Sequence, residues 1–144
     1  MNGAMNDYYD KFPAILKSKI YSGEFTFPPA TKYIYEPFKA YRCIVRTPGD
    51  ASAVNRGDMR SYPELGRRVP RGRSIDDPDW YSTSLNTSLD KLKHDMCLPK
   101  PNRKIAVGTV HQDGGPQHMK EGNTHVSWWV FEELDLSDFV FLED

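Results

Sequence analysis

The spacing of apolar residues along the chain switches between helical and alternating periods, and the switches mark out its elements. In DYYDKFPAILKSKIY, residues 7–21, Tyr8, Phe12, Ile15, Leu16 and Ile20 lie close to helical spacing. Pro13 belongs in a first turn, so the pattern predicts a helix over 13–20. Pro28, Pro29 and Pro37 make the next stretch irregular, with one short strand at Lys32–Tyr35. AYRCIVR, residues 40–46, then alternates: Tyr41, Cys43 and Val45 point one way, Arg42, Ile44 and Arg46 the other. That alternation predicts a strand, with Cys43 as a small hydrophobe on its core face.

Thr47–Pro78 shows neither period and is rich in Gly, Pro, Arg and Asp. It reads as a long loop with a helical turn near Tyr62–Leu65, and loops of such length in compact domains are usually functional or disordered. Asp79–Ser82 is a short strand candidate. Leu85, Leu89, Leu92 and Met96 follow at i, i+4, i+7 and i+11, one face of a helix. Asn86 and Thr87 are its natural caps, Thr87 and Asp90 form a variant capping box, and Pro99 and Pro101 end it. KIAVGTV, 104–110, alternates and stops at the turn-forming Asp113-Gly114-Gly115-Pro116. THVSWWVFE, 124–132, is strongly β-prone, with His125, Ser127, Trp129 and Phe131 on one face and Val126, Trp128, Val130 and Glu132 on the other. A last strand falls at Phe139–Leu142. The order predicts an α+β fold, antiparallel-rich strands with one or two helices.

Length and composition add that the chain folds around one core. At 144 residues, with 38% hydrophobic and 27% charged positions, it lies within the globular range. It reads as a single domain, 1–144, with residues 1–39 an N-terminal helix and irregular segment and 40–144 the core. The formal net charge of -1 conceals an asymmetry. Arg56, Arg60, Arg67, Arg68, Arg71 and Arg73 crowd into one loop, and no Lys or Arg follows Lys120. The tail carries Glu121, Glu132, Glu133, Asp135, Asp138, Glu143 and Asp144. The two regions should attract each other or attract different partners. The arginine loop is either solvated or in contact with phosphate or nucleic acid.

Cys43 and Cys97 fit no CxxC spacing, and no apolar run of signal-peptide length follows Met1. A reduced, cytoplasmic protein is expected, and no stretch approaches membrane-spanning length. Asn86-Thr87-Ser88 matches a glycosylation acceptor, without consequence in that setting.

Three polar features sit on or beside apolar strands. Arg42 lies mid-strand, Ser82-Thr83-Ser84 sits at a strand-to-helix junction, and Glu132 and Glu133 end the most apolar strand. Singly, each has a structural explanation: a solvated arginine, a helix cap, an exposed strand end. Tyr41-Arg42, then Tyr81-Ser82-Thr83-Ser84, then a C-terminal glutamate resembles in composition and order the Arg-Ser-Glu signature of bacterial-toxin-type ADP-ribosyltransferases, with its STS motif. The resemblance spans residues 40–133 and implies split antiparallel sheets and NAD as the substrate, with no metal. It implies that Arg42 helps bind the NAD phosphates, that Ser82 fixes the nicotinamide-ribose pocket together with Thr83 and Ser84, and that Glu132 or Glu133 is catalytic.

Each role suits its residue type. Arginine is a permanently charged fork that matches phosphate oxygens. A short hydroxyl donates and accepts without filling the pocket. A carboxylate stabilises the oxocarbenium-like sugar that forms as the nicotinamide bond breaks. Tyr81, Trp128 or Trp129 would stack on nicotinamide. Val130 and Phe131 stand where the family commonly has a second Glu or Gln, so the acceptor, protein or nucleic acid, is left open.

Other chemistries have less behind them. His111, His118 and His125 are seven apart, and His94 and Cys97 make a possible ligand pair, but no HExxH, CxxC or HxH spacing supports a metal. No Walker or Rossmann glycine loop is present. The main rival is a small non-catalytic interaction or inhibitor protein that grips a protein or nucleic acid with its arginine loop and acidic C-terminal region.

Overall fold

Strand β1, Phe38–Val45, sits near the centre of the sheet because both of its edges find partners. On one side it runs antiparallel to β3, Arg103–Val110, in an unbroken register from Phe38 opposite Val110 to Val45 opposite Arg103. On the other it meets β2, Thr83–Asn86, through a single pair, Tyr41 opposite Asn86. The computed structural model describes residues 9–23, 36–67, 78–95, 97–119 and 122–142. Among them β4 (Gln117–His118), β5 (His125–Trp128) and β6 (Val140–Phe141) complete an antiparallel sheet ordered β4-β5-β2-β1-β3-β6. Two three-stranded halves are thus joined by one residue pair. Lys32–Tyr35, Met96, Arg68, Arg71 and Arg73 lie outside the described residues.

Helix α1, Ala14–Ser22, starts where the sequence places it, with Pro13 at its N-cap and Gly23 closing it at φ 75°. Helix α2, Leu89–Asp95, is shorter than its leucine spacing predicts. Leu85 belongs to β2, where it is fully buried, and the cap is Ser88, whose Oγ accepts the Lys91 N–H at 3.2 Å. Asp79–Ser82 is not a strand: Pro78–Tyr81 is a turn of 3₁₀ helix and the strand begins at Thr83. The extended run after His125 ends at Trp128, where the Trp129 N–H turns to the Pro116 carbonyl. β4 falls in a stretch, residues 117–123, to which the sequence pattern assigns no element.

The core face of β1 is the opposite of the one expected. Ala40 and Ile44 are buried, whereas Val45 is 55% exposed. Arg46 is buried on the same face, which it tolerates because both guanidinium Nη atoms reach the Asp58 carboxylate. Ala40 and Ile44 join Leu85, Val126, Trp128 and Phe139 in the larger apolar cluster. On β2 and β5 the pairs Thr83–Trp128 and Leu85–Val126 are buried and alternate with the polar pairs Ser84–Ser127 and Asn86–His125. A second cluster joins Phe12 and Leu16 to Trp80, Tyr81, Trp129 and Phe131. Gly115, at φ 125°, is required there: a Cβ would lie 1.9 Å from the Trp129 carbonyl oxygen.

Cys43 and Cys97 are bonded to each other, so neither is the free thiol expected from the sequence. The bond ties the segment after α2 to β1 across 54 residues. No helix among the described residues is long and apolar enough to cross a membrane.

Candidate functional site

Beyond Tyr41 and Asn86, β1 and β2 part, and a cleft of about 710 Å³ lies along the gap. Residues 42–45 of β1 and 82–84 beside β2 form its walls, with Asp58, Arg60 and Tyr62 from the long loop. Arg42 spans the parting: its Nη1 donates to the Ser84 carbonyl at 2.9 Å and its Nε to the Asp58 carbonyl at 3.2 Å. A 3₁₀ turn at Arg56–Met59 supplies the second bridge, because the Met59 carbonyl accepts the Thr83 hydroxyl from β2. Asn55 and Asp58 close that turn as a reciprocal capping box. Burial lowers the Arg42 pKa to about 10, an effect that Tyr62 and Asp58 partly offset.

The hydroxyl cluster divides by partner. Ser82 Oγ donates to the Asp79 carbonyl at 2.7 Å, and Thr83 Oγ1 to Met59. Ser84 Oγ faces His125 Nε2 at 3.1 Å across the strand pair. All three residues line the cleft with Arg42. Their oxygens retain acceptor capacity even where the proton is committed to a backbone carbonyl.

Glu132 does not line the cleft; it is joined to it through Arg60, which does. Arg60 Nη1 lies 2.5 Å from Glu132 Oε2 and 3.1 Å from Glu64 Oε1. Arg56 stands behind the same carboxylates, 3.2 Å from Glu64 and 3.8 Å from Glu132. Its guanidinium also donates to the carbonyls of Met59, Val130 and Phe131. Arg56 is therefore fixed, not solvated, and the loop and the acidic segment grip each other. The hydrogen bond from Arg60, with Arg56 adding attraction, holds the Glu132 carboxyl below its ordinary range and the Arg60 guanidinium above its own. Glu133 is exposed on the adjoining turn and does not line the cleft.

All three aromatics expected to stack belong to the core; Trp129, in the second apolar cluster, does not line the cleft. Trp128 is fully buried and its indole N–H donates to the Gly115 carbonyl at 3.1 Å. Tyr81 is buried against α1 in the second apolar cluster. Neither lines the cleft, and neither can stack on a ligand without unpacking the core. The aromatics on the cleft are instead Tyr62 and Trp80, with ring centroids 5.1 Å apart. Their signal was present, since Trp80 precedes the hydroxyl run and Tyr62 lies in the arginine loop, but nothing local marks which aromatic faces a gap between strands. Arg60 and Glu64, four apart in that loop, were legible as an ion pair. Cys97 is consumed by the disulfide, so His94 and Cys97 are not a ligand pair.

Arg42, Arg60, Arg67 and Arg103 thus surround one cleft beside the carboxylates of Asp58 and Asp79. Guanidinium groups around a concave surface suit a phosphate-bearing ligand. No protein-family model, curated protein or solved structure matches the chain.

Proposed function

We propose that the chain is an ADP-ribosyltransferase-like enzyme that binds NAD in this cleft and cleaves its nicotinamide–ribose bond. ADP-ribose then passes to a macromolecular acceptor, protein or nucleic acid, or to water. The observation that carries the reading is the shared cleft: Arg42 and Ser82-Thr83-Ser84, forty residues apart in sequence, wall one gap, and Arg60 links that gap to Glu132. Arg42 and the outer arginines take the phosphates, and the hydroxyls accept from the ribose.

The bond between the ribose anomeric carbon and the nicotinamide nitrogen breaks with its electron pair going to nitrogen, which leaves positive charge on the sugar. The Glu132 carboxylate, kept ionised by its arginines, stabilises that charge once Arg60 turns to the phosphates. The acceptor forms the new bond and releases its proton. Of the two glutamates, Glu132 is the one paired with a cleft-lining arginine, whereas Glu133 is exposed on the adjoining turn.

The rival reading, a non-catalytic binder using the arginine loop and acidic segment, loses one of its cations, because Arg56 is already held by Glu64 and three backbone carbonyls. We also infer an oxidising setting in place of the cytoplasmic one, since disulfides are rare where thiols are kept reduced.

Incubation with NAD labelled in each half, with and without cell extract, tests the proposal. Nicotinamide release is expected from the wild type, falling at least about tenfold in the Glu132→Gln, Glu133→Gln double variant, the scale of losing an electrostatic stabiliser. No release, or equal release from both, would overturn it.

A further inference from the structure

We propose that the indole N–H of Trp80 recognises the ring end of the ligand, donating to an acceptor on a flat heteroaromatic group such as the carboxamide oxygen of nicotinamide. This rests on the NAD reading above and adds the residue that would select the ring. The chain has three tryptophans, and the other two are satisfied. Trp128 donates to Gly115 and Trp129 donates to the Pro78 carbonyl at 2.9 Å. Trp80 is only 5% exposed, and its Nε1 has no acceptor among the described residues. A buried donor without an acceptor is a standing cost that a phenylalanine in the same apolar cluster would avoid.

Two other buried side-chain atoms lack a hydrogen-bond partner among the described residues, Arg46 Nε and Gln117 Oε1, and neither residue lines the cleft. Trp80 does. Tyr62, 48% exposed, packs against its ring, and Leu65, 51% exposed, lines the same cleft. The Arg67 guanidinium lies 5.2 Å from the centre of the Tyr62 ring, a cation–π contact at the same part of the lining. An aromatic pair beside one buried, unpaired donor is a composition that suits a ring-binding subsite. A site built around one such hydrogen bond rejects rings that lack the acceptor, because the donor is then left unpaired.

The test uses the full chain with ¹⁵N-labelled tryptophan, which gives three indole resonances, assigned with Trp80→Phe. One arm is titrated with nicotinamide, one with pyridine, one with inorganic pyrophosphate. Nicotinamide should shift the Trp80 resonance downfield and slow its exchange with solvent while Trp128 and Trp129 stay in place. Pyrophosphate should leave all three unmoved, and pyridine should bind at least about tenfold more weakly than nicotinamide. A Trp80 resonance that stays put up to the solubility limit of nicotinamide, or pyridine binding as tightly, would overturn the assignment. The wild-type arms do not depend on how well Trp80→Phe folds. A Trp80 response without nicotinamide release from NAD would leave the subsite standing and remove the catalytic reading; release with a silent Trp80 would do the reverse.

Discussion

Arg42 shows how one side chain takes part in both fold and site. Two strands that share a single backbone pair need another connection, and the guanidinium supplies it by reaching the Ser84 and Asp58 carbonyls from the middle of β1. Arg42→Met would leave both carbonyls facing a hydrophobic stem. It should lower unfolding stability by about 2–4 kcal/mol in urea denaturation, the range for breaking a buried polar network. Arg42→Lys keeps a charge but has no planar fork for two diverging acceptors, and should recover less than half of that loss. Glu132 is the second residue whose setting decides its role. Its carboxyl is held below the ordinary range in the folded chain, chiefly by the hydrogen bond from Arg60. The stability it contributes is therefore fully present above the unfolded-state pKa and is lost as pH falls through the depressed folded value. Acid titration of unfolding should be less steep below about pH 5 in Glu132→Gln than in wild type, since the ordinary glutamate pKa is about 4.3. Equal slopes would mean that the arginine pair does not act on this carboxyl.

At the scale of elements, the disulfide does what the short β1–β2 ladder cannot. It closes a loop of 54 residues that contains the arginine loop, β2 and α2, and so limits how far those parts separate in the unfolded chain. Loop entropy alone values that at about 4 kcal/mol. Treatment with a dithiol reductant, or the Cys43→Ala, Cys97→Ala double variant, should lower stability by about 2–4 kcal/mol, read as a drop in Tm. An unchanged Tm with and without reductant would show that the two sulfurs are not bonded in solution. The elements also show what periodicity can and cannot specify. β3 is legible because Lys104–Val110 alternates next to a glycine turn, and the helix at Ala14–Ser22 because Pro13 and Gly23 bracket it. The β2–α2 junction is misread because Leu85 falls in phase with Leu89 and Leu92 while lying in a strand, where Val126 is its partner. A short apolar series fits both periods, and only the neighbouring strand decides between them.

For the whole molecule, part of the charge asymmetry resolves inward among the described residues. The arginine loop and the acidic segment lie far apart in sequence, yet Arg56 and Arg60 meet Glu132, and Arg56 also takes the carbonyls of Val130 and Phe131. The cleft between the two halves of the sheet gathers Arg42, Arg67 and Arg103 with the hydroxyls and the ring pair Tyr62–Trp80. The sequence by itself determined the α+β class, most of the strands, the helix after Pro13, and Arg42 and Ser82-Thr83-Ser84 as residues to watch, because alternation, caps and residue chemistry are local properties. The tertiary structure alone decided that Arg42 and the hydroxyls share one cleft, that Arg60 stands between that cleft and Glu132, that Cys43 and Cys97 are joined, and that Trp80 and not Trp128 borders the gap. Each of these depends on which strands pair and where they part, and residues up to 75 positions apart set that.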